Sequence, residues 1–372
     1  MDKKELILDR LLLGIFAVFP FGQIFGLIFN IYFPNLPTIH LLDILVILFC
    51  FFGLLIYKLE FQKYKYFFAL IIVLVFSFAI SLQFNLLPFL YLFRFITYLL
   101  FGLLLSKHLK KDFQKKLLIK YLYIDSLFIS FFGLVQYFLL PDLRQLKVWG
   151  WDDHYFRLVS TFLDPAFVGI IIVLGIVLSL YLKKRKSLLL LVPSLLLTYS
   201  RASFLSLVIV SFSLLKPKKF IIFSTIFVIS LLMLPTNMKG EGVNLLRTSS
   251  IFYKLENYQN SLEIIKSNPL FGVGYNNICN YQKESVNSCY GLDNSFLLIL
   301  ATTGVVGIIS FFYFIFNLIK SSSNKTNQLL VNSLLAIFVH TQFTNTIFYS
   351  WVLVWMASIF AISQDQKLKF RT

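Results

Sequence analysis

The sequence predicts an all-α polytopic integral membrane protein with about twelve transmembrane helices. Hydrophobic residues make up 58% of the chain and charged residues only 14%, and the mean hydropathy is +0.79. Apolar runs close to the ~20 residues that cross ~30 Å of hydrocarbon follow one another along the chain. Short loops rich in Lys and Arg alternate with loops of almost no charge, as the positive-inside rule requires.

The basic loops and basic termini predict that both termini lie in the cytoplasm. Segments 140–162 and 236–293 then lie outside, the second between the ninth and tenth helices. We expect one transmembrane domain over residues 1–372, in which the extracytoplasmic loop 236–293 covers a functional site. The apolar runs occupy approximately residues 11–30, 39–57, 66–84, 86–106, 117–139, 163–182, 187–200, 202–215, 219–235, 294–319, 328–344 and 346–363.

The net charge of +17 does not indicate nucleic-acid binding, because the Lys and Arg residues follow the loop alternation instead of forming one basic face. A cleavable signal peptide is not expected, since Met1–Arg10 is polar and a full-length apolar run follows it. The lipid bilayer is therefore the first partner that the sequence predicts.

Asp43, Arg94 and Asp125 fall within apolar runs. Charges at that depth are costly and are usually paired. One interpretation is a structural ion pair between neighbouring helices. The other is that Arg94 contacts the phosphate of a lipid.

Arg201 lies between two short apolar runs. About 15 residues separate it from Lys186 on one side and from Lys216 on the other, and a helix of that length rises only ~22 Å. Arg201 is therefore expected below the outer surface, ~8 Å into the outer leaflet. Either its side chain snorkels to the headgroups, or it lines a cavity as an anion-binding guanidinium.

The long loop contains an amphipathic pattern over Lys254–Ser267, which predicts a surface helix ending at Asn268-Pro269. Gly272 and Gly274 then permit a tight turn. Cys279 and Cys289 can pair if the outer compartment is oxidising, although their spacing alone does not decide this.

Asp293 and Asn294 precede the tenth apolar run. Asp293 is a favoured N-cap whose charge suits the helix dipole, and it is also a candidate functional carboxylate. Gly304 and Gly307 predict the close approach of another helix. Because no His, Cys and carboxylate cluster has metal-ligand spacing, no metal or other cofactor is expected.

Four short motifs occur in order. They are Arg157-Leu-Val-Ser-Thr-Phe-Leu-Asp-Pro165, Thr198-Tyr-Ser-Arg201, Asn268-Pro-Leu-Phe-Gly-Val-Gly274, and Asp293-Asn294 followed after nine residues by Gly304-Val-Val-Gly307. Together they resemble the O-antigen polymerase and ligase superfamily, membrane glycosyltransferases of the bacterial envelope. The resemblance covers roughly residues 90–310.

The motifs depart from the family pattern at two positions. Asp293 stands where ligases have a His that is thought to help activate the acceptor hydroxyl. Lys254 stands where the family's loop Arg is usual, and Arg247, seven residues earlier, is a candidate substitute. The missing His favours a Wzy-type polysaccharide polymerase over a WaaL-type O-antigen ligase.

The resemblance implies a reaction at the outer face of the bacterial inner membrane, with undecaprenyl-diphosphate-linked glycan as donor and acceptor and a product that is O-antigen or capsule. It implies Asp293 as the group that deprotonates or orients the acceptor hydroxyl, and Arg201 as a catalytic cation. Arg157, Arg247, Lys254 and Asn294 would bind the diphosphate or glycan, and Tyr275 would stack on sugars, with an interfacial position as the alternative. Trp149 and Trp151 are expected as interfacial anchors, with sugar stacking as the alternative.

Two rival functions remain open. An O-antigen ligase would transfer finished glycan to lipid A-core, and a transporter or flippase would move lipid-linked oligosaccharide across the membrane. Against transport, the two halves show no matching pair of interrupted helices. The family resemblance further implies a separate chain-length regulator as a possible partner.

Overall fold

The computed structural model describes residues 3–32, 38–81, 86–235, 241–281, 292–322 and 324–364. These residues form fourteen α-helices, joined by loops and short 3-10 turns, and contain no β-strand. The helices are α1 Lys3–Val18, α2 Ile24–Tyr32, α3 Leu41–Ile56, α4 Lys65–Ile80, α5 Leu86–His108, α6 Asp112–Leu139, α7 Pro165–Tyr181, α8 Leu188–Leu196, α9 Arg201–Leu214, α10 Pro217–Leu232, α11 Ser249–Ser267, α12 Ser295–Lys320, α13 Asn324–His340 and α14 Ser350–Ser363.

The helices support the prediction of an all-helical membrane protein. Among the described residues, α5, α6 and α12 are each long and apolar enough to cross a membrane. The other apolar runs coincide with shorter helices, and α11 is the helix predicted for the long loop. The number of crossings and the orientation of the chain stay predictions.

The first apolar run does not form the single helix expected over residues 11–30. Two helical segments, Glu5–Phe21 and Ile24–Tyr32, meet there at a bend of 80°. Pro20 lies in a 3-10 turn at the end of the first segment, and Gly22 follows with φ +52°. Because a proline removes a helical hydrogen bond and this glycine adopts a left-handed conformation, the helix cannot continue through the run.

Contacts between loops define two ends of the helix bundle. At one end Lys110 binds Glu5 and Lys115 donates to the carbonyl of Gln364, so both ends of the described chain lie there. At the other end lie the segment between α6 and α7, the loop that carries α11, and the segment between α13 and α14. We call this second end the loop end.

The core lies where α14 packs against α5, and where α13 packs against α7 and α9. Trp351 and Trp355 are fully buried in it. Arg94 on α5 pairs with Asp43 on α3, with 2.9 Å between Nη2 and Oδ2. This confirms an ion pair between helices, whereas Asp125 on α6 is buried and forms no salt bridge within the described residues.

The Asn268–Gly274 turn docks into a break in α12. Gly304 interrupts that helix with φ +66° and ψ −165°. Val273 and Gly274 donate backbone hydrogen bonds to the carbonyls of Ala301 and Thr302, each at 3.0 Å.

Beyond the break, the N–H groups of Val305 and Val306 donate to the carbonyls of Pro269 and Leu270, at 2.9 and 3.2 Å. The turn therefore binds backbone groups that the broken helix leaves without helical partners, as an apolar setting requires. Gly304 is contacted by this turn, not by another helix as the sequence predicted.

Replacing Gly304 with alanine is expected to destabilise the protein, because the new Cβ would lie too close to the Leu270 carbonyl oxygen and φ is positive. Gly150→Ala is the matched control, since Gly150 also has positive φ (+87°) but a Cβ there would meet no atom within 4 Å. The left-handed conformation of Gly150 costs an alanine about 1–2 kcal/mol, whereas the conformation of Gly304, with ψ −165°, is one that only glycine adopts readily. Thermal melting of the detergent-solubilised variants, followed by tryptophan fluorescence, should therefore show a clearly larger loss for Gly304→Ala. Equal losses would mean that the docked turn contributes little.

Candidate active site

Arg157 lies in the segment between α6 and α7 at the loop end. Its Nε donates to the carbonyl of Thr198, at 3.1 Å, in the turn between α8 and α9. Gly242 of the long loop lies directly over the side chain, since a Cβ on this glycine would come within 2.9 Å of the Arg157 Cδ. The glycine thus lets the loop backbone cover Arg157.

Arg201 begins α9, which confirms the boundary predicted between the apolar runs 187–200 and 202–215; its depth in the bilayer stays a prediction. Ser200 is the N-cap, with its side chain accepting from the N–H of Ser203. The Arg201 guanidinium donates from Nη1 to the carbonyl of Arg247 at 3.0 Å and from Nη2 to Ser250 Oγ at 2.6 Å. Arg201 therefore anchors the long loop and the start of α11 to the bundle, a role that sequence reasoning did not predict.

Arg247 completes a cluster of three arginines. Its Nη1 donates to the carbonyl of Gly242 at 2.7 Å, so Arg157 and Arg247 both contact the same glycine. Burial, together with the charges of Arg247 and Arg201, lowers the pKa of Arg157 to about 9, although Asp164 and Asp152 oppose this shift. Three cations that repel one another at a partly buried site favour an anion.

Asp152, His154 and Asp164 lie beside the arginines, with one ligating atom of each within 4.8 Å of the others. Such a group can hold a cation, and the sequence did not predict it because the three residues lack a familiar spacing. His154 is buried, and its pKa is lowered to about 4 by burial and by Arg157. Since Arg157 interacts with both carboxylates, its guanidinium competes with any cation for them.

Asp293 and Lys254 form an ion pair, with 3.4 Å between Oδ1 and Nζ. The Asp293 backbone N–H donates to the Asn257 side chain at 3.1 Å, which holds this residue against α11. Lys254 follows Ser250, the partner of Arg201, by one helical turn of α11, ~6 Å along the axis. It also interacts electrostatically with Asp164, as Arg157 does. The ion pair and the arginine cluster are therefore neighbours.

Asn294, not Asp293, caps α12. Its Oδ1 accepts from the N–H groups of Phe296 and Leu297, at 2.8 and 3.2 Å. Its Nδ2 donates to the carbonyl of Gln342 at 3.2 Å. These bonds occupy the Asn294 amide and leave the Asp293 carboxylate, 43% exposed, available for chemistry.

Tyr275 lies elsewhere. It is buried against Phe95 and Phe348 and lines a separate cavity that contains Arg94. Trp151 donates to the side chain of Gln23 at 3.0 Å. Cys279 is disulfide-bonded, as the sequence allowed, whereas Cys289, its predicted partner, lies outside the described residues.

Residues 156–312 match the family model described as O-Antigen ligase. The matched segment belongs to the O-antigen polymerase and ligase superfamily. It contains the three arginines, the Lys254–Asp293 pair and the docked turn, so the family segment coincides with the candidate site. Comparison with the curated proteins finds no match to this chain.

The capping assignment predicts different stabilities for two adjacent alanine substitutions. Asn294→Ala should lower the stability of the detergent-solubilised protein by about 1 kcal/mol, because the α12 N-terminus loses its cap. Asp293→Ala should change it by less than about 0.5 kcal/mol, because an exposed ion pair contributes little. Thermal melting of both variants checks this, and the reverse order would show that Asp293 is the cap.

Proposed function

We propose that the chain is a membrane glycosyltransferase that polymerises undecaprenyl-diphosphate-linked oligosaccharide repeat units into O-antigen or capsular polysaccharide. The reaction would take place at the outer face of the bacterial inner membrane, which is the loop end of the bundle. The observation that carries the proposal is the cluster of Arg157, Arg201 and Arg247 beside the Lys254–Asp293 pair, within the family segment.

The arginines suit the departing diphosphate. As the bond between sugar C1 and the phosphate oxygen breaks, negative charge develops on the diphosphate, and fixed cations at a partly buried site stabilise that charge. Arg201 acts in addition as a positioning residue, because it holds the loop that carries Arg247.

Asp293 suits the acceptor. Its carboxylate would accept the proton of a sugar hydroxyl on the second lipid-linked chain as the hydroxyl oxygen bonds to C1. One glycosidic bond forms, one bond to phosphate breaks, and undecaprenyl diphosphate leaves. Lys254 would orient the carboxylate through the ion pair.

The ligase is the second candidate, because the matching family model is described as O-Antigen ligase. Asp293 in place of the ligase-type His favours the polymerase. Both functions would use the same diphosphate site. They are therefore distinguished by the length of the glycan found on the carrier lipid and on the acceptor.

A glycan ladder on a gel tests the proposal. A deletion strain should show single repeat units on the acceptor, and the wild-type gene should restore the ladder. Arg157→Gln, Arg247→Gln and Asp293→Asn should fail to restore it, since losing one such group costs on the order of 10²–10³ in rate. Arg144→Gln is the matched control, because Arg144 lies in the same segment as Arg157 but is exposed and pairs with Asp142.

Protein levels in the membrane are checked by blot for every variant. Long chains stranded on the carrier lipid in the deletion strain would mean a ligase. An unchanged ladder in the deletion strain would contradict both glycosyltransferase candidates and favour the transporter.

A further inference from the structure

A second polar cavity lies around Arg94, apart from the three arginines. Its volume is about 210 Å³. The residues used below are Arg94 and Phe95 on α5, Asn276 after the docked turn, Phe167 on α7, and Asn345 and Tyr349 between α13 and α14. We call this cavity the Arg94 chamber.

Arg94 presents unused donors to the chamber. Its Nη2 binds both Asp43 Oδ2, at 2.9 Å, and the carbonyl of Thr38, at 2.7 Å. No hydrogen bond links Nε or Nη1 to any other described residue. Asp43 is itself held by the hydroxyl of Tyr98 at 2.7 Å. The carboxylate therefore fixes the guanidinium from one side and leaves the other side free for an anion.

Two amides extend the donor set. Asn276 is only 7% exposed, and its side chain makes no hydrogen bond with the described residues although it lines the chamber. Asn345 accepts from Ser295 through Oδ1 at 3.0 Å, which leaves its Nδ2 without a partner in the described part of the chain. A buried amide without partners is costly unless a ligand or water satisfies it.

An apolar groove of about 320 Å³ adjoins the chamber and shares Phe95 and Leu353 with it. Side chains of α4, α5, α12, α13 and α14 line the groove. Phe312 and Phe338 in its lining are exposed at the surface of the bundle. On α12 the lining consists of Phe296 and of residues between Phe311 and Ile319. Because α12 is broken at Gly304, Phe296 packs back on Phe312, with 5.6 Å between the ring centroids.

An aromatic pair in the chamber lining contacts the segment that carries Asp164. Phe167 stacks on Tyr349 with 3.9 Å between the ring centroids, and both rings line the chamber. The backbone N–H of Phe167 donates to Asp164 at 3.0 Å, and Asp164 interacts with Arg157. The stacked pair, which we call the wall, therefore connects the chamber to the carboxylate beside the arginine cluster.

We propose that the Arg94 chamber and the adjoining groove bind a second polyprenyl diphosphate lipid, the carrier of the acceptor chain. The groove takes the part of the isoprenoid chain nearest the diphosphate, and Arg94 with the amides of Asn276 and Asn345 takes the diphosphate. This inference rests on the proposed polymerase function, in which two lipid-linked substrates must be held at once. The wall keeps the acceptor diphosphate apart from the donor diphosphate, while the acceptor glycan extends to Asp293.

Native mass spectrometry of the full-length protein in detergent, titrated with undecaprenyl diphosphate, tests the stoichiometry. The wild type should bind two lipids per chain. Arg157→Gln should retain only the chamber lipid at low concentration. The double variant Asp43→Asn/Arg94→Gln removes both charges of the ion pair, and its second binding event should weaken about tenfold or more.

Asp125→Asn is the control, since it replaces a buried acidic side chain on α6 that lies outside the chamber lining; it should still bind two lipids. Leu353→Trp narrows the junction of groove and chamber without changing a charge, and should also lose the second lipid. This variant keeps the test valid if the double variant does not fold, which its thermal melting reveals.

A single lipid on the wild type, or two on both Leu353→Trp and the double variant, would overturn the proposal. If phosphatidylglycerol displaced the second lipid as effectively as undecaprenyl diphosphate does, the proposal would also be overturned, because the chamber would then hold an ordinary phospholipid. The binding assay needs no turnover. A normal glycan ladder in a deletion strain therefore contradicts the polymerase alone, and a normal ladder with Asp43→Asn/Arg94→Gln contradicts the acceptor site alone.

Discussion

The candidate site depends on the docking of the Asn268–Gly274 turn into the break in α12. A broken helix in an apolar bundle leaves backbone groups that must find partners. Here the turn provides them on both sides of Gly304. Because the turn follows directly after α11, its position fixes α11 against α12 and so brings Lys254 to Asp293. The other end of α11 carries Ser250 to Arg201.

The two cationic sites orient their guanidinium groups in a similar way. In each, backbone carbonyls or a buried carboxylate orient a guanidinium through some of its donors: Thr198 for Arg157, and Asp43 with Thr38 for Arg94. Fixed orientation matters because a preorganised charge does not have to reorganise when negative charge develops or binds. The sites differ in their surroundings. The arginine cluster lies under a polar loop, whereas the Arg94 chamber opens into an apolar groove.

Hydrophobic periodicity and the positions of Pro and Gly in the sequence predicted much of the local structure at the candidate site. The end of α11 at Asn268-Pro269, the helix break at Arg201 and the tight turn at Gly272 and Gly274 all follow from local rules, and the structure confirms them. Four separated motifs also indicated the family that the model of residues 156–312 matches.

Contacts between distant segments could not be predicted in this way. Gly304 and the turn are some 30 residues apart, so their docking is not visible as a pattern in either stretch. Asp293 and Asn294 are both good caps, and only the backbone path decides which side chain faces the helix end. The pairing of Arg94 with Asp43 and the gathering of Asp152 with His154 and Asp164 likewise depend on how helices and loops meet in space.

Reconstitution of the purified protein with a synthetic undecaprenyl-diphosphate-linked repeat unit tests the central claim most directly. With no other protein present, the account predicts products of two, three and more repeat units on one lipid, and release of one undecaprenyl diphosphate for each new glycosidic bond. The Arg157→Gln protein should yield almost none. Repeat units that stay single, or that only cross the membrane unchanged, would contradict the assignment of a polymerase to this fold.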